Sequence, residues 1–263
     1  MDLELKDKVA LITGTASQIG IGKAIALTLA KEGCDIASAD MNIEGAKQTA
    51  ADVQALGRKA ITIKVDITKA LDVSNMVKTV LAEFGKIDIL VNCAGGLFTK
   101  GLLHETKEED WEKDINLNLY GTMNCIKAVT PSMMERKYGK IVNVSSVSAR
   151  IGEPAWGLPH AAAKAGVISV TMTSAKYLAP YGINVNGIAP GGVTTNFNSG
   201  MSSGNPELEE RVRQLRKSTM ERTPIGRRTT TQDIANTVAF LVSDVSSDIV
   251  GQTISVDGGF FMI

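Results

Sequence analysis

Short apolar runs alternate with longer amphipathic segments along almost the whole chain, and this alternation limits the possible folds more than any other feature. A run that is apolar at every position predicts a strand buried on both faces. Apolar residues at helical spacing predict the helices between the strands. The predicted strands cover residues 9–13, 35–39, 60–65, 87–91, 141–145, 183–188 and 253–256, and the predicted helices cover 23–31, 44–56, 71–84, 111–135, 159–178 and 231–241.

This alternation predicts an α/β fold, namely a single-domain Rossmann-like doubly wound parallel sheet with helices on both faces. A chain of 263 residues is long enough for one large domain, and no linker divides it, so we interpret residues 1–263 as one unit. Residues 196–230 interrupt the pattern with a serine- and glycine-rich stretch followed by a charged helical one. We interpret them as a flap over a site, with a solvated surface insertion as the alternative.

Charge and composition exclude several classes of function. Lys plus Arg and Asp plus Glu both number 28, so no nucleic acid partner is indicated and a small neutral or mildly polar substrate fits better. The N-terminus lacks the apolar core of a signal peptide, and no run of about 18 apolar residues follows, which predicts a cytoplasmic protein without a membrane partner. Cys34, Cys93 and Cys125 lack metal-ligand spacing, so reduced thiols and no metal site are expected.

A glycine-rich turn separates the first predicted strand from the first predicted helix. The backbone amides of such a turn and the positive end of the helix dipole bind the pyrophosphate of a dinucleotide. The position between strand and helix makes this interpretation specific, with a tight turn that binds nothing as the alternative. The candidate cofactor residues of the turn are Gly14, Ser17, Gly20, Ile21 and Gly22.

Asp40 ends the second predicted strand, about 20 residues after the glycine-rich turn. A carboxylate at this place accepts hydrogen bonds from the ribose hydroxyls and repels a 2′-phosphate. No arginine stands beside it in the sequence to bind such a phosphate. The sequence therefore predicts NAD rather than NADP, with an aspartate that only begins a turn as the alternative.

Two further segments indicate a proton-transfer site. Residues 141–146 have a buried-strand pattern that ends in two serines. Pro159 suits the start of a helix, on which His160 and Lys164 lie side by side at a spacing of four. Here the chain resembles the short-chain dehydrogenase/reductase family, whose catalytic helix carries Tyr-x-x-x-Lys preceded by a serine, except that His160 stands at the tyrosine position. The resemblance implies an oxidoreductase.

The resemblance also implies a role for each residue of this site. Ser146, rather than Ser145, would polarise the carbonyl of the substrate. Lys164 would bind the nicotinamide ribose and lower the pKa of the neighbouring acid, while Asn118 would hold a water that links Lys164 to solvent. The residue at position 160 would be the acid or base.

His160 is expected to replace a tyrosine only in part. An isolated imidazole titrates near 6.5, which suits a base at neutral pH, but the Lys164 cation disfavours the imidazolium. Imidazole also has a shorter reach than a phenol, and a displacement of about 1 Å can cost about 10²-fold in rate. Two interpretations stay open: a deliberate substitution of a catalytic tyrosine, or a natural variant that uses histidine or has lost catalysis.

Further cofactor contacts follow from the resemblance. One aspartate matches the family's position beside the adenine, an Asn-Cys-Ala-Gly turn resembles its Asn-Asn-Ala-Gly turn, and a Pro-Gly segment matches the one that meets the nicotinamide carboxamide. The glycine-rich turn departs from the family because two extra residues separate Gly14 from Gly20. The residues implied in these three segments are Asp66, Ile67, Asn92, Ala94, Gly95, Pro190, Gly191, Val193 and Thr195.

Three functional hypotheses result, in order of preference. The first is an NAD-dependent oxidoreductase that interconverts a secondary alcohol and a ketone, with its activity impaired by His160. The second is a catalytically inactive dinucleotide-binding sensor or scaffold. The third is an enoyl reductase, suggested by the lengthened glycine-rich turn but less favoured because the tyrosine and lysine of that branch are spaced more widely than positions 160 and 164.

The substrate pocket and the assembly are also predicted. The family commonly forms homotetramers through the helices predicted at 111–135 and 159–178 and through the C-terminal segment, whose apolar end at 259–263 is better buried against a partner. The pocket residues would favour a partly apolar alcohol or ketone, with ordinary packing as the alternative. They are Ser146, Glu153, Trp156 and Phe197, with Phe98 and Met201 beside them.

Overall fold

The computed structural model of the chain describes residues 2–99, 103–152, 157–195, 197 and 206–262. Within these residues, seven parallel strands form one sheet. The strands are β1 (Val9–Thr13), β2 (Asp35–Asp40), β3 (Ala60–Lys64), β4 (Ile89–Asn92), β5 (Gly139–Val144), β6 (Ile183–Pro190) and β7 (Thr253–Val256). They lie in the order β3-β2-β1-β4-β5-β6-β7. This confirms the predicted doubly wound α/β fold.

Helices cover both faces of the sheet. In the described part of the chain they are α1 (Ile21–Lys31), α2 (Ile43–Ala55), α3 (Ala70–Phe84), α4 (Glu108–Ile115), α5 (Gly121–Arg136), α6 (Leu158–Leu178), α7 (Pro206–Glu221) and α8 (Thr231–Leu241). One core lies between the sheet and α3, α5 and α6, and the other lies between the sheet and α1, α2 and α8. Leu11 and Ile12 of β1 point into different cores, which explains why the strand is apolar at successive positions. None of the described helices is both long enough and apolar enough to cross a bilayer.

The strand order places a crevice at the carboxyl ends of β1 and β4. These two strands are neighbours in the sheet, although β2 and β3 lie between them in the sequence. The chain leaves β1 towards the face covered by α1 and leaves β4 towards the face covered by α5. Loops that diverge in this way open the crevice in which open α/β sheets bind ligands.

The helix predicted at 111–135 is interrupted, so the prediction of one continuous helix was wrong at its centre. A π-helical turn, Asn116–Tyr120, lies between α4 and α5. The side-chain amide of Asn118 donates to the backbone carbonyl of Asp114 (2.8 Å), and the Thr122 hydroxyl donates to the backbone carbonyl of Asn118 (3.1 Å). Side chains thus bind carbonyl groups of the widened turn, and the Asn118 side chain also reaches the loop after β4.

The segment interpreted as a flap, residues 196–230, is described at residue 197 and from 206 onwards. Its predicted helical pattern is present as α7, which continues to Glu221. The role of this segment as a flap stays a prediction.

Candidate active site

A cavity of about 700 Å³ lies at the carboxyl ends of β1, β4, β5 and β6. It brings together most of the residues that the sequence indicated for cofactor and chemistry, although they come from distant parts of the chain. The predicted site residues that line it are Gly14, Ser17, Gly20, Ile21, Gly22, Asp40, Gly95, Ser146, His160, Lys164, Pro190, Gly191, Val193, Thr195 and Phe197.

Other predicted site residues lie outside the lining of this cavity. Asp66, predicted beside the adenine, lies at a second, neighbouring cavity, where its carboxylate accepts hydrogen bonds from the amide and hydroxyl of Thr68 (3.1 and 2.7 Å). Ile67 is buried in the core that includes α3 and α5, and Ala94 donates its amide to the Thr13 hydroxyl (3.2 Å). Phe98 is 39 % exposed and does not line the main cavity. Glu153, Trp156 and Met201 lie outside the described residues.

Asn92, implied as a cofactor contact by the resemblance, forms its hydrogen bond within the sheet. Its amide donates to the Asn143 side chain (2.8 Å), whose own amide donates to the Thr171 hydroxyl (3.0 Å) on α6. Because all three side chains are buried, these bonds tie β4, β5 and α6 together beneath the cavity.

One end of the cavity, which we call the nucleotide end, is lined by the glycine-rich turn and Asp40. It combines backbone donors with a fixed carboxylate. Helix α1 begins after Gly20 without a side-chain cap, so the amides of its first turn are directed at the cavity. The two carboxylate oxygens of Asp40 accept from the backbone amides of Ala16 and Asn42 (both 2.9 Å). The amides of α1 match a pyrophosphate, and the oriented carboxylate of Asp40 matches ribose hydroxyls.

The other end of the cavity, which we call the chemical end, is lined by Ser146, His160 and Lys164. Lys164 is buried there, with 5 % of its surface exposed. Its ammonium group donates to the Val144 carbonyl (2.9 Å), and burial lowers its pKa to about 8. The Ser145 hydroxyl donates to the Lys164 carbonyl (2.8 Å) and thereby holds α6 against the end of β5. Ser145 therefore has a positioning contact, whereas the Ser146 hydroxyl oxygen accepts from the Ser148 amide (3.1 Å) and keeps its hydrogen for donation.

Asn118 is fully buried and bonded to the loop that follows β4. Its side-chain amide group donates to the backbone carbonyl of Gly96 (2.9 Å), and its side-chain oxygen Oδ1 accepts from the backbone amide of Gly96 (3.2 Å). A Cβ atom built on Gly95 would lie 2.8 Å from Asn118 Oδ1 and 3.4 Å from Lys164 Nζ. The absence of a side chain at Gly95 thus allows Asn118 and Lys164 to approach its Cα atom from two sides. The water relay between Asn118 and Lys164 stays a prediction.

His160 is 5 % exposed, and its ring lies 5.8 Å from the ring of Phe197. Its Nδ1 lies 3.3 Å from the Gly96 carbonyl oxygen. Because a carbonyl can only accept, Nδ1 carries the hydrogen in this contact and Nε2 has a free lone pair. Burial lowers the pKa of His160 to about 3, and the charge of Lys164 adds to this effect. At neutral pH the imidazole is therefore uncharged, and its Nε2 can accept a hydrogen bond but cannot donate one.

We expect the ring signals of His160 to stay constant between pH 5 and pH 8, because its pKa of about 3 lies below this range. Proton NMR can measure this directly, since the chain contains only two histidines and the spectrum of a His160→Tyr variant identifies the signal. A titration midpoint near 6.5 would contradict the buried, neutral histidine.

Among the residues of the site region that were not found from the sequence, Arg228 and Asp114 fix two of its loops. The Arg228 guanidinium lines the cavity and donates to the carbonyls of Gly192 (3.3 Å) and Val193 (2.9 Å), which shapes the segment after β6. The fully buried carboxylate of Asp114 accepts from the amides of Phe98 and Thr99 (both 3.0 Å) and so fixes the loop after β4. Their sequence positions gave no signal, because both bind backbone groups of segments that are remote along the chain.

Known proteins are similar to this chain over almost its whole length. Residues 14–261 match the family model described as "Enoyl-(Acyl carrier protein) reductase". The 3-oxoacyl-[acyl-carrier-protein] reductase FabG of Staphylococcus epidermidis is 39% identical over 260 residues, which cover 97% of this chain and 100% of the relative. The chain belongs to the short-chain dehydrogenase/reductase family. The FabG protein of Thermotoga maritima is 38% identical over 257 residues, covering 98% of this chain and 99% of that protein.

Solved structures of family members have the same fold. A structure of NAD⁺-bound xylitol dehydrogenase has a TM-score of 0.87 and 32% identity, covering 97% of this chain and 100% of that one. A 7α-hydroxysteroid dehydrogenase complexed with NADH and 7-oxo glycochenodeoxycholic acid has the same TM-score and identity, covering 98% and 96%. The protein is thus an oxidoreductase that acts on CH–OH groups and binds a nicotinamide dinucleotide. The uncapped start of α1 and the oriented Asp40 fit such a cofactor.

Proposed function

We propose that this protein is an NAD-dependent oxidoreductase that interconverts a secondary alcohol and a ketone by hydride transfer. The observation that carries the proposal is the shared cavity, in which Ser146, His160 and Lys164 lie at one end while the glycine-rich turn and Asp40 lie at the other. The nicotinamide ring, when bound, supplies or accepts the hydride. The names of the FabG relatives and the xylitol and hydroxysteroid dehydrogenases support this type of reaction.

Each residue of the chemical end has a distinct task in this proposal. Ser146 donates its hydroxyl hydrogen to the substrate oxygen and polarises the carbonyl. Lys164 offers its ammonium group to the hydroxyls of the nicotinamide ribose. His160 accepts the hydrogen bond of a substrate hydroxyl at Nε2. The proposed pocket residue Phe197 packs beside His160 and adds apolar surface for the substrate.

The protonation state of His160 is expected to limit the rate of turnover. Reduction of a ketone needs a proton at the oxygen, and oxidation of an alcohol needs a base that holds the proton it removes. A buried imidazole with a pKa of about 3 does neither well at neutral pH. Slow turnover is therefore expected.

The low pKa of the buried His160 imidazole also favours a second candidate function, a dinucleotide-binding protein without turnover. NADH titration followed by a panel of secondary alcohols and ketones separates the two. Either function requires binding of NADH, but only an oxidoreductase converts a compound of the panel. Binding without conversion by either this protein or its His160→Tyr variant would favour the sensor or scaffold.

NADH is expected to bind more tightly than NADPH, because Asp40 faces the nucleotide end of the cavity and repels a 2′-phosphate. Asp40→Ala should reduce the preference by about tenfold or more, since a charge repulsion and ribose hydrogen bonds are both lost. Fluorescence titration with both cofactors measures the effect, and Asp248→Ala, which removes an exposed carboxylate elsewhere, serves as the control. Equal affinity for both cofactors in the unaltered protein would refute the prediction.

A homotetramer is expected in solution. Helices α5 and α6 expose Met123 (41 %), Met172 (51 %) and Tyr177 (63 %), and Met262 near the C-terminus is 77 % exposed. Apolar surface of this kind is better buried between subunits. Light scattering should give about four times the chain mass of 27.9 kDa, and a monomer mass would contradict the prediction.

A further inference from the structure

The lengthened glycine-rich turn is attached to helix α2 through a group of residues that we call the loop clamp: Gln18, Lys23, Gly45 and Asp52. The Gln18 amide donates to the carbonyls of Ala16 (2.9 Å) and Gly45 (3.1 Å). Its carbonyl accepts from the Lys23 ammonium (2.5 Å), which also pairs with the Asp52 carboxylate (2.5 Å). Both ends of the Gln18 side chain are therefore engaged.

The backbones of the turn and of α2 also touch. A Cβ atom built on Gly45 would lie 2.4 Å from the Ala16 carbonyl oxygen, so only glycine permits this approach. One turn further along α2, the Thr49 hydroxyl donates to the Thr15 carbonyl (2.8 Å). The turn thus lies directly against the first two turns of α2.

This arrangement sets the position of Asp40. The clamp holds the Ala16 carbonyl against α2, while the Ala16 amide donates to Asp40 (2.9 Å). Ala16, Gln18, Asp40 and Asn42 all line the nucleotide end of the cavity. Movement of the turn away from α2 would break the clamp and would shift the Ala16 amide that orients Asp40.

We propose that Gln18, acting through the loop clamp, is a second determinant of cofactor choice beside Asp40. It is a positioning residue, because it holds Ala16 and Asp40 in the arrangement that accepts ribose hydroxyls and directs the Asp40 charge against a 2′-phosphate. The proposal rests on the proposed preference for NAD.

The test measures dissociation constants of NADH and NADPH by fluorescence titration for the unaltered protein, Gln18→Met, Gly45→Ala and a control. Gln18→Met keeps the length of the side chain but removes its hydrogen bonds. Gly45→Ala pushes the turn from α2 by a different route and covers the case in which Gln18→Met fails to fold. The control, Gln54→Ala, removes a glutamine at the far end of the same helix, where its amide donates to Ala60 (3.0 Å).

The ratio of the NADPH to the NADH dissociation constant should fall about three- to tenfold in Gln18→Met and Gly45→Ala, the equivalent of one or two hydrogen bonds, and should stay unchanged in Gln54→Ala. Equal weakening of both cofactors, or a ratio unchanged within about twofold, would show a merely structural role and overturn the proposal. A ratio near one in the unaltered protein would instead refute the preference for NAD, and the inference with it.

Discussion

Replacing His160 with tyrosine is expected to raise the turnover number by at least about 10²-fold and to leave the dissociation constant of NADH nearly unchanged. The phenol brings a group that can carry a proton, and the Lys164 cation beside it lowers the pKa of that group. The uncharged imidazole of His160 lacks this capacity. In the proposed function the glycine-rich turn and Asp40 bind the nucleotide at the other end of the cavity, so its affinity should be preserved.

A His160→Phe variant is the matched control for this experiment. It fills similar space with a ring that has no hydrogen-bonding group, so its turnover number should be no higher than that of the unaltered protein. A tyrosine variant no faster than the unaltered protein, measured with the true substrate, would show that His160 is the working residue of a natural variant or that catalysis has been lost for other reasons.

Asp88→Ala is expected to lower the free energy of unfolding by about 3 kcal/mol without changing the affinity for NADH. The Asp88 side chain is 3 % exposed and lies at the amino end of β4, away from the cavity. It accepts from the Val9 amide (2.9 Å) and pairs with Lys86 (2.9 Å) and Arg136 (2.8 Å). Its removal leaves a buried donor and two partly buried cations without their shared acceptor.

The pH dependence of this effect has a defined sign. Burial acts to raise the pKa of Asp88, but the Val9 amide and the Lys86 and Arg136 cations outweigh it and lower the pKa below the ordinary value. The stabilisation is fully present above the unfolded pKa of about 3.9 and is lost as the pH falls through the folded pKa. Urea unfolding at fixed protein concentration should give a large difference between the two proteins at pH 7 and a smaller one near pH 3. A difference independent of pH would contradict the role of the charge.

Much of the fold and of the cofactor end could be predicted because the relevant signals are local. The turn from Gly14 to Gly22 and the end of β2 at Asp40 are each coded by consecutive residues, and a parallel sheet brings the carboxyl ends of its strands to one edge. The sequence could not show the π-helical turn at Asn118, because one added residue in a helical turn leaves the apolar pattern on both sides intact.

The protonation state of His160 could also be derived only from the structure. Its ring is held by the carbonyl of Gly96, which lies 64 residues earlier in the chain. The sequence suggested a pKa near that of free imidazole, moved by Lys164 alone. In the folded protein, burial is the larger cause of the lowered pKa. Contacts between segments this far apart cannot be derived from residue spacing.

The most direct test of the proposed function is transfer of deuterium from NADH labelled at the hydride position of the nicotinamide. The protein and its His160→Tyr variant would each be incubated with the labelled cofactor and a panel of ketones and 3-oxoacyl thioesters, and the products would be analysed by mass spectrometry. The proposed reaction predicts an alcohol with one deuterium at the carbinol carbon, formed slowly by the unaltered protein and much faster by the variant. Tight binding of NADH by both proteins, with no labelled alcohol from any compound of the panel, would contradict it.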